Sequence, residues 1–193
     1  MDLINRVKQI LVSPKTEWQT IDSENDSHVA VLTKYVLLLA AIPAVAAFIG
    51  YGIIGYSVMG YHVASISLGI KQAIVQYIAM VGGVYITALV INLLAESFGS
   101  KKDFDKAFSL VAYAYTPAFI GGIFYIYHSI VILASLASIY SLVLLYMGLA
   151  PMMQTPNEKR TSYFVVSLLV MVAASFLLAF ILAAIFIGSA YQF

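Results

Sequence analysis

The sequence predicts an all-α integral membrane protein with five transmembrane helices and an N-terminal amphipathic, interfacial helical segment. The first observation behind this prediction is composition: 62% of the 193 residues are hydrophobic and 10% are charged, whereas a soluble chain carries about 25% charge. The second is a set of apolar runs long enough to cross ~30 Å of hydrocarbon. The third is an uneven distribution of lysine and arginine between the two sides that five spans would create.

Residues 1–33 are predicted to form a cytoplasmic segment at the membrane interface. Apolar residues in 1–12 recur at spacings of one, three and four, which is the pattern of one helix face. Such a helix can lie on a membrane surface or pack on the membrane domain, and both alternatives stay open. Ser13-Pro14 indicates an N-cap followed by proline at the first position of a second helix. Trp18 on that helix is expected to anchor at headgroup depth.

The transmembrane domain is predicted over residues 34–188. Its first span is placed at 35–56, where 22 residues include no charged side chain. Pro43 lies inside this run, and because proline removes a backbone donor and clashes with the preceding turn, we expect a kink. The second span is placed at 74–95, after a softer, more polar loop.

The chain from Ala107 to Met153 contains no Lys, Arg, Asp or Glu in 47 residues. As one helix it would be ~70 Å long, more than twice the bilayer, so it must hold two spans. The best break is the polar and aromatic stretch at 125–129. The last three spans are therefore placed at 107–125, 130–147 and 163–187, with 189–193 as a short outer tail.

The counts of lysine and arginine predict the orientation. Four precede the first span, three lie in the loop at 97–106 and two in 151–161, whereas one lies in 57–72 and none in the later hairpin or tail. Five spans bring the three richer regions to one side, which gives a ratio of nine to one. We therefore expect a cytoplasmic N-terminus and a C-terminus outside.

Polar residues around the second and third spans form the candidate functional cluster: Asn92, Glu96, Ser109, Tyr113, Thr116 and Pro117. One interpretation makes Glu96 a carboxylate that handles a cation or a proton, with Asn92 one turn deeper. The other makes Glu96 a helix-end carboxylate offset by Lys101 or Lys102.

The deeper polar groups of the third span also have two interpretations. Tyr113 and Tyr115 carry hydroxyls that need partners, and the candidates are Ser109, one turn before Tyr113, and polar groups of the second span such as Asn92 and Gln76. These groups either line a cavity or lock helices together. Pro117 also frees the carbonyl of Tyr113, which Thr116 or a neighbouring helix can occupy.

The sequence offers no catalytic, cofactor or metal motif. The histidines His28, His62 and His128 are more than 30 residues apart, and the chain contains no cysteine. Nucleophile elbows and glycine-rich phosphate loops are absent as well. With a net charge of +1, no nucleic-acid partner is expected.

Small residues at a spacing of four indicate faces where helix backbones can approach closely. We interpret them as possible homo-oligomer contacts. The three pairs are Ala40 with Ala44, Ala79 with Gly83, and Ala118 with Gly122.

Four stretches carry a resemblance to a known family. They are Ser13-Pro14-Lys15-Thr16-Glu17-Trp18, Phe98-Gly99-Ser100 with Asp103-Phe104, Ala112-Tyr113-x3-Pro117, and Tyr146-x-Gly148-Leu149-x-Pro151-Met152-Met153-x-Thr155-Pro156-x-Glu158-Lys159. Because these four stretches follow one another in this order, the chain resembles the bacterial inner-membrane branch of the Yip (Ypt/Rab-interacting protein) family over about residues 1–187. The resemblance implies a five-helix membrane domain with a cytoplasmic N-terminus. Eukaryotic members act in vesicle traffic and associate with Rab GTPases and with one another.

The sequence thus favours a non-enzymatic inner-membrane protein that organises membrane or recruits partners. Expected partners are membrane lipid, a second copy of the chain, and a membrane or cytoplasmic protein. The cytoplasmic basic loops would carry the contacts, through Lys101, Lys102, Lys106, Lys159 and Arg160. The alternative is a small transporter or channel for an ion, a proton or a lipid, with a polar path between the second and third spans.

Overall fold

The computed structural model describes residues 2–58 and 60–188, so the predicted tail at 189–193 lies outside the described part. Within that part, five helices are long and apolar enough to cross a membrane, which confirms the predicted fold class. They are referred to in chain order as the first to fifth spanning helices: His28–Ile54, Ile66–Leu94, Phe104–Ile126, Ile132–Met153 and Asn157–Gly188.

Two further helices, Leu3–Val12 and Pro14–Glu24, precede the bundle and form the N-terminal hairpin. The Asp2 side chain caps the first helix by accepting a hydrogen bond from the Ile4 amide at 3.2 Å. Pro14 occupies the first turn of the second helix, as the sequence predicts. Asn25 ends that helix in the left-handed conformation (φ 49°), which terminates helices.

The first spanning helix alternates between α and π geometry. Its α segments are His28–Val31 and Leu37–Phe48, and its π segments are Leu32–Val36 and Ile49–Ile54. Pro43 lies inside the longer α segment and packs against Gly122 of the third spanning helix, where an added Cβ would overlap the proline. The Ala118–Gly122 face is therefore buried within the chain.

A short β-hairpin follows, in which strand Tyr56–Val58 pairs with strand Tyr61–Val63 in antiparallel register. Gly60 between them has φ 84°, a conformation that favours glycine. The second spanning helix begins at Ile66, eight residues before the apolar run that predicted it. Part of the stretch expected as a soft loop is thus helical.

The third spanning helix is the centre of the bundle. In its 18-residue apolar stretch 78% of the residues are buried, whereas the share is 17–44% in the corresponding stretches of the other four spanning helices. Asp103 caps its start by accepting from the Lys106 amide at 3.1 Å. An α segment ends at Ala114, a second runs Thr116–Gly121, and a 3-10 turn completes it at Gly122–Ile126. The bend between the α segments falls where Pro117 begins a new turn.

The remaining helices and turns define the two ends of the bundle. A 3-10 turn, His128–Ile130, precedes the fourth spanning helix, and another, Glu96–Phe98, follows the second. The loops at 95–103 and 154–156 meet, since Ser100 donates to Thr155 at 2.9 Å and the Lys101 amide donates to the Met153 carbonyl at 2.9 Å. We call this the basic end, and the end with the β-hairpin the opposite end.

Candidate functional site

The N-terminal hairpin is held by a buried arginine. Arg6, 4% exposed, forms ion pairs with Glu17 and Glu24 of the second hairpin helix. Burial alone lowers the pKa of Arg6, but the hydrogen bond that Arg6 donates to Glu24 and the charges of Glu17 and Glu24 outweigh it, so the pKa is raised. A buried charge without a partner is strongly destabilising. The two hairpin helices are therefore tied to each other through this one cation.

The same arginine faces the centre of the bundle. Its guanidinium carbon lies 5.4 Å from the centroid of the Tyr113 ring, within cation–π range. The Tyr113 ring meets the edge of Tyr35 with a centroid distance of 4.7 Å. Arg6 thus connects the N-terminal hairpin to the first and third spanning helices.

The tyrosines lead to the bend of the third spanning helix. Thr116 Oγ1 donates to the Tyr113 carbonyl at 2.6 Å, the contact expected from the freed carbonyl before Pro117. Because a hydroxyl has one proton, Tyr35 Oη must be the donor in its 2.6 Å hydrogen bond to Thr116 Oγ1. We call Arg6, Glu17, Glu24, Tyr35, Tyr113 and Thr116 the Arg6 cluster.

A small cavity of about 70 Å³ adjoins the Arg6 cluster. This volume is enough for a few water molecules and too small for a metabolite. It is lined by Leu3, Asp26, Ala30, Val31, Lys34, Tyr35 and Tyr113.

Two side-chain contacts fasten the start of the third spanning helix to residues 22 and 28. Lys106 Nζ lies 2.9 Å from Asp22 Oδ1 and also donates to the Asp22 carbonyl. Asp105 accepts from the His28 amide at 2.7 Å and contacts His28 Nδ1 at 2.6 Å. The entry of the first spanning helix therefore lies beside the entry of the third.

The tip of the N-terminal hairpin packs along the fourth spanning helix. Tyr140 Oη donates to the Leu11 carbonyl at 2.8 Å. Along the helix axis, Tyr140 lies about 20 Å from Met153 at a rise of about 1.5 Å per residue. Trp18 is 1% exposed, and a Cβ at Gly148 would lie 2.8 Å from its ring. The prediction that Trp18 anchors at headgroup depth is wrong, because this indole is buried in a groove of the protein where Gly148 leaves room for it.

The structure separates the polar cluster expected around the second and third spans. Tyr113, Thr116 and Pro117 lie together at the bend, and Ser109 is buried nearer the helix start. Asn92 Oδ1 is buried, and none of the described residues forms a hydrogen bond with it. The side chain of Glu96 is 70% exposed, 3.7 Å from Lys102 Nζ, as a helix-end carboxylate would be.

The second and third spanning helices contact each other directly. Tyr115 Oη and Thr87 Oγ1 satisfy each other at 3.0 Å, and Gly83 lies beside the Tyr115 ring. The sequence did not identify Thr87 as the partner of Tyr115. This pairing locks helices together, which is the structural interpretation of such polar groups.

The basic side chains of the loops have different surroundings. Lys101 is exposed and 3.8 Å from Asp103, Lys102 pairs with Glu96, and Lys106 is bound to Asp22. Lys159 is exposed. Arg160 is partly buried, with its guanidinium carbon 4.6 Å from the centroid of the Tyr146 ring.

Sequence reasoning missed Arg6, Glu17, Glu24 and Tyr35. A signal was present, because Glu17 and Glu24 are seven residues apart and so lie on one helix face. Their partner, on the other hairpin helix, gives no local signal. Within residues 2–58 and 60–188, no group of three or more His, Cys, Asp or Glu residues is placed to hold a metal.

Comparisons with known proteins agree with this architecture. The family model described as Yip1 domain matches residues 8–181. The chain is 28% identical over 155 residues to the inner membrane protein YohC of Escherichia coli strain K12, covering 78% of this chain and 80% of that protein. The same values hold for YohC of Escherichia coli O6:H1 strain CFT073. No solved structure gives a significant match.

Proposed function

The chain belongs to the Yip1 domain family, and from this premise we propose that it is a non-enzymatic scaffold that organises membrane or recruits a partner at its basic end. Its apolar helices and its inner-membrane relative make it a multi-pass inner membrane protein. The proposed orientation has the basic end in the cytoplasm, because nine of the ten Lys and Arg residues lie before the apolar run at 35–56 or in the stretches 97–106 and 151–161.

The observation that carries this proposal is the docked N-terminal hairpin. Its inner side is fixed by the Arg6 cluster and by Trp18, while its outer side keeps Ile4, Lys8, Val12 and Lys15 exposed. A rigid surface that combines cations with exposed apolar side chains suits contact with a protein or with anionic membrane.

The polar path considered as the alternative finds no support in the packing between the second and third spanning helices. Thr87 and Tyr115 are bonded to each other, and the Glu96 side chain lies outside the bundle. A conducting path needs ionisable or polar groups that face a wetted interior. We therefore do not propose transport.

Site-specific photocrosslinking in native membranes tests the scaffold proposal. A photoreactive residue at Lys8 or Lys15 should give a protein adduct of one defined mass, because both side chains are exposed on the N-terminal hairpin. The matched control is Tyr61, exposed at the opposite end, which should give none. The hairpin adduct should weaken when Arg6→Gln is added.

Three results would contradict the proposal. The first is the same adduct pattern from Tyr61 as from the N-terminal hairpin, and the second is no protein adduct from either position. The third is flux of ions, protons or lipid through proteoliposomes of the wild type that Glu96→Gln abolishes, since this would restore the transport alternative.

A further inference from the structure

Arg160 is a partly buried cation at the basic end. Within the described residues it forms no ion pair, whereas Arg6, Lys101, Lys102 and Lys106 each do. Its Nε is buried and has no hydrogen-bond partner there. Because Nε is enclosed, the terminal nitrogens of this guanidinium are the donors that an anion can reach.

The ring beneath Arg160 holds the guanidinium in place. Tyr146 lies under it at 4.6 Å. Tyr146 Oη is 3.2 Å from Thr161 Oγ1, and its ring meets the edge of Phe164 at 5.4 Å. Stacking fixes the plane of the guanidinium, and the planar fork of its terminal nitrogens matches a phosphate group.

The surroundings of Tyr146 indicate where the anion comes from. Leu136, Ile139 and Val143 are exposed and precede Tyr146 on the fourth spanning helix at spacings of three and four, so all four share one face. This face is the apolar surface that a spanning helix turns to lipid. It is about 15 Å long from Leu136 to Tyr146, the length that part of an acyl chain would cover.

We propose that Tyr146, Arg160 and Thr161 form a binding site for the phosphate of an anionic phospholipid, whose acyl chain lies along Leu136, Ile139 and Val143. Arg160 supplies the bidentate donor, Tyr146 fixes its plane, and Thr161 adds a hydroxyl. The exposed Lys159 next to Arg160 adds positive charge, which favours an anionic over a zwitterionic headgroup. The site depends on the membrane placement alone and not on the proposed scaffold role.

Native mass spectrometry of the purified full chain, with phosphatidylglycerol or phosphatidylcholine added at matched concentrations, tests this site. Phosphatidylglycerol should bind more tightly than phosphatidylcholine. Arg160→Gln should weaken phosphatidylglycerol binding about tenfold, because a charge-assisted bidentate contact is lost. Arg160→Lys should recover part of it, and Tyr146→Leu should also weaken it. The matched control Lys101→Gln, which removes an exposed cation at the same end, should change it less than twofold.

The outcomes separate the lipid from other sources of phosphate. Inorganic phosphate at millimolar concentration should not displace the lipid; displacement would assign the site to a soluble phosphate and overturn the proposal. Equal loss of binding in Arg160→Gln and Lys101→Gln would overturn it too, because it would indicate only general charge. A thermal unfolding scan of each variant excludes loss of fold as the cause, and if Arg160→Gln does not fold, Arg160→Lys and Tyr146→Leu carry the test.

Discussion

At the scale of single residues, Arg6 is the side chain on which the arrangement of the basic end depends. It contacts both the hairpin carboxylates and an aromatic ring of the bundle. Removing one partner of a buried ion pair costs about 3–5 kcal/mol, because the other charge stays buried. If Arg6 were removed, Glu17, whose side chain is 12% exposed, would be left as a mostly buried carboxylate without this cation.

A double-mutant cycle on Tyr35 and Thr116 tests the hydrogen bonds at the bend. Tyr35→Phe and Thr116→Val each break the bond between the two hydroxyls. We expect a coupling of about 0.6 kcal/mol, up to ~2, in the free energy of unfolding in detergent. Strictly additive effects would show that the two hydroxyls do not interact.

The control for this cycle is the pair Tyr35→Phe and Ser138→Ala. Ser138 donates to the Ala134 carbonyl within its own helix at 3.0 Å, and it shares no partner with Tyr35. Its effect should add to that of Tyr35→Phe within about 0.5 kcal/mol.

At the scale of elements, the two glycines expected at helix contacts differ in their surroundings. A Cβ at Gly122 would overlap Pro43, including its backbone, whereas a Cβ at Gly83 would lie 3.8 Å from the Tyr115 ring, an ordinary contact. We predict that Gly122→Ala lowers the free energy of unfolding by about 1–3 kcal/mol through overpacking. Gly83→Ala should stay within ~0.5 kcal/mol. Equal melting temperatures for the two variants would contradict the close crossing of the first and third spanning helices.

The spanning helices could be predicted because each carries its signal locally. A run such as 35–56 is apolar over the length of a bilayer, and this property needs no knowledge of neighbours. The second spanning helix begins before the span predicted at 74–95, because Lys71 and Gln72 interrupt the apolar pattern while the backbone stays helical. Hydropathy follows contact with lipid, and a helix can extend beyond it.

The docking of the N-terminal hairpin could not be predicted, because its signal is not local. An amphipathic helix shows the same pattern whether its apolar face meets lipid or a protein groove. The groove is built by Gly148 and Leu110, more than 90 residues away from Trp18 in sequence. The pairing of Arg6 with Glu17 and Glu24 likewise depends on how two helices fold back on each other, which the Ser13-Pro14 turn suggests but does not specify.

At the scale of the whole molecule, the ion pairs and the loop contacts bring the N-terminal hairpin and both basic loops to one end of the bundle. Cysteine labelling can test the orientation directly, because the chain contains no cysteine of its own. In intact cells, Tyr61→Cys should react with a membrane-impermeant maleimide. Lys101→Cys should react only after the cells are permeabilised. Labelling in the reverse order would contradict a cytoplasmic basic end.

The claim central to this account is that Arg6 holds the N-terminal hairpin against the bundle. Hydrogen exchange of residues 3–24 in lipid nanodiscs measures it most directly, by comparing the wild type with Arg6→Gln and with the control Lys8→Gln, which changes an exposed cation on the same helix. We expect amides of both hairpin helices to exchange ~100-fold faster in Arg6→Gln, corresponding to about 3 kcal/mol. In Arg6→Gln, the amides of the third spanning helix should exchange at the wild-type rate. In Lys8→Gln, all amides should exchange at the wild-type rate. Unchanged protection of residues 3–24 in Arg6→Gln, or equal loss in both variants, would contradict the account.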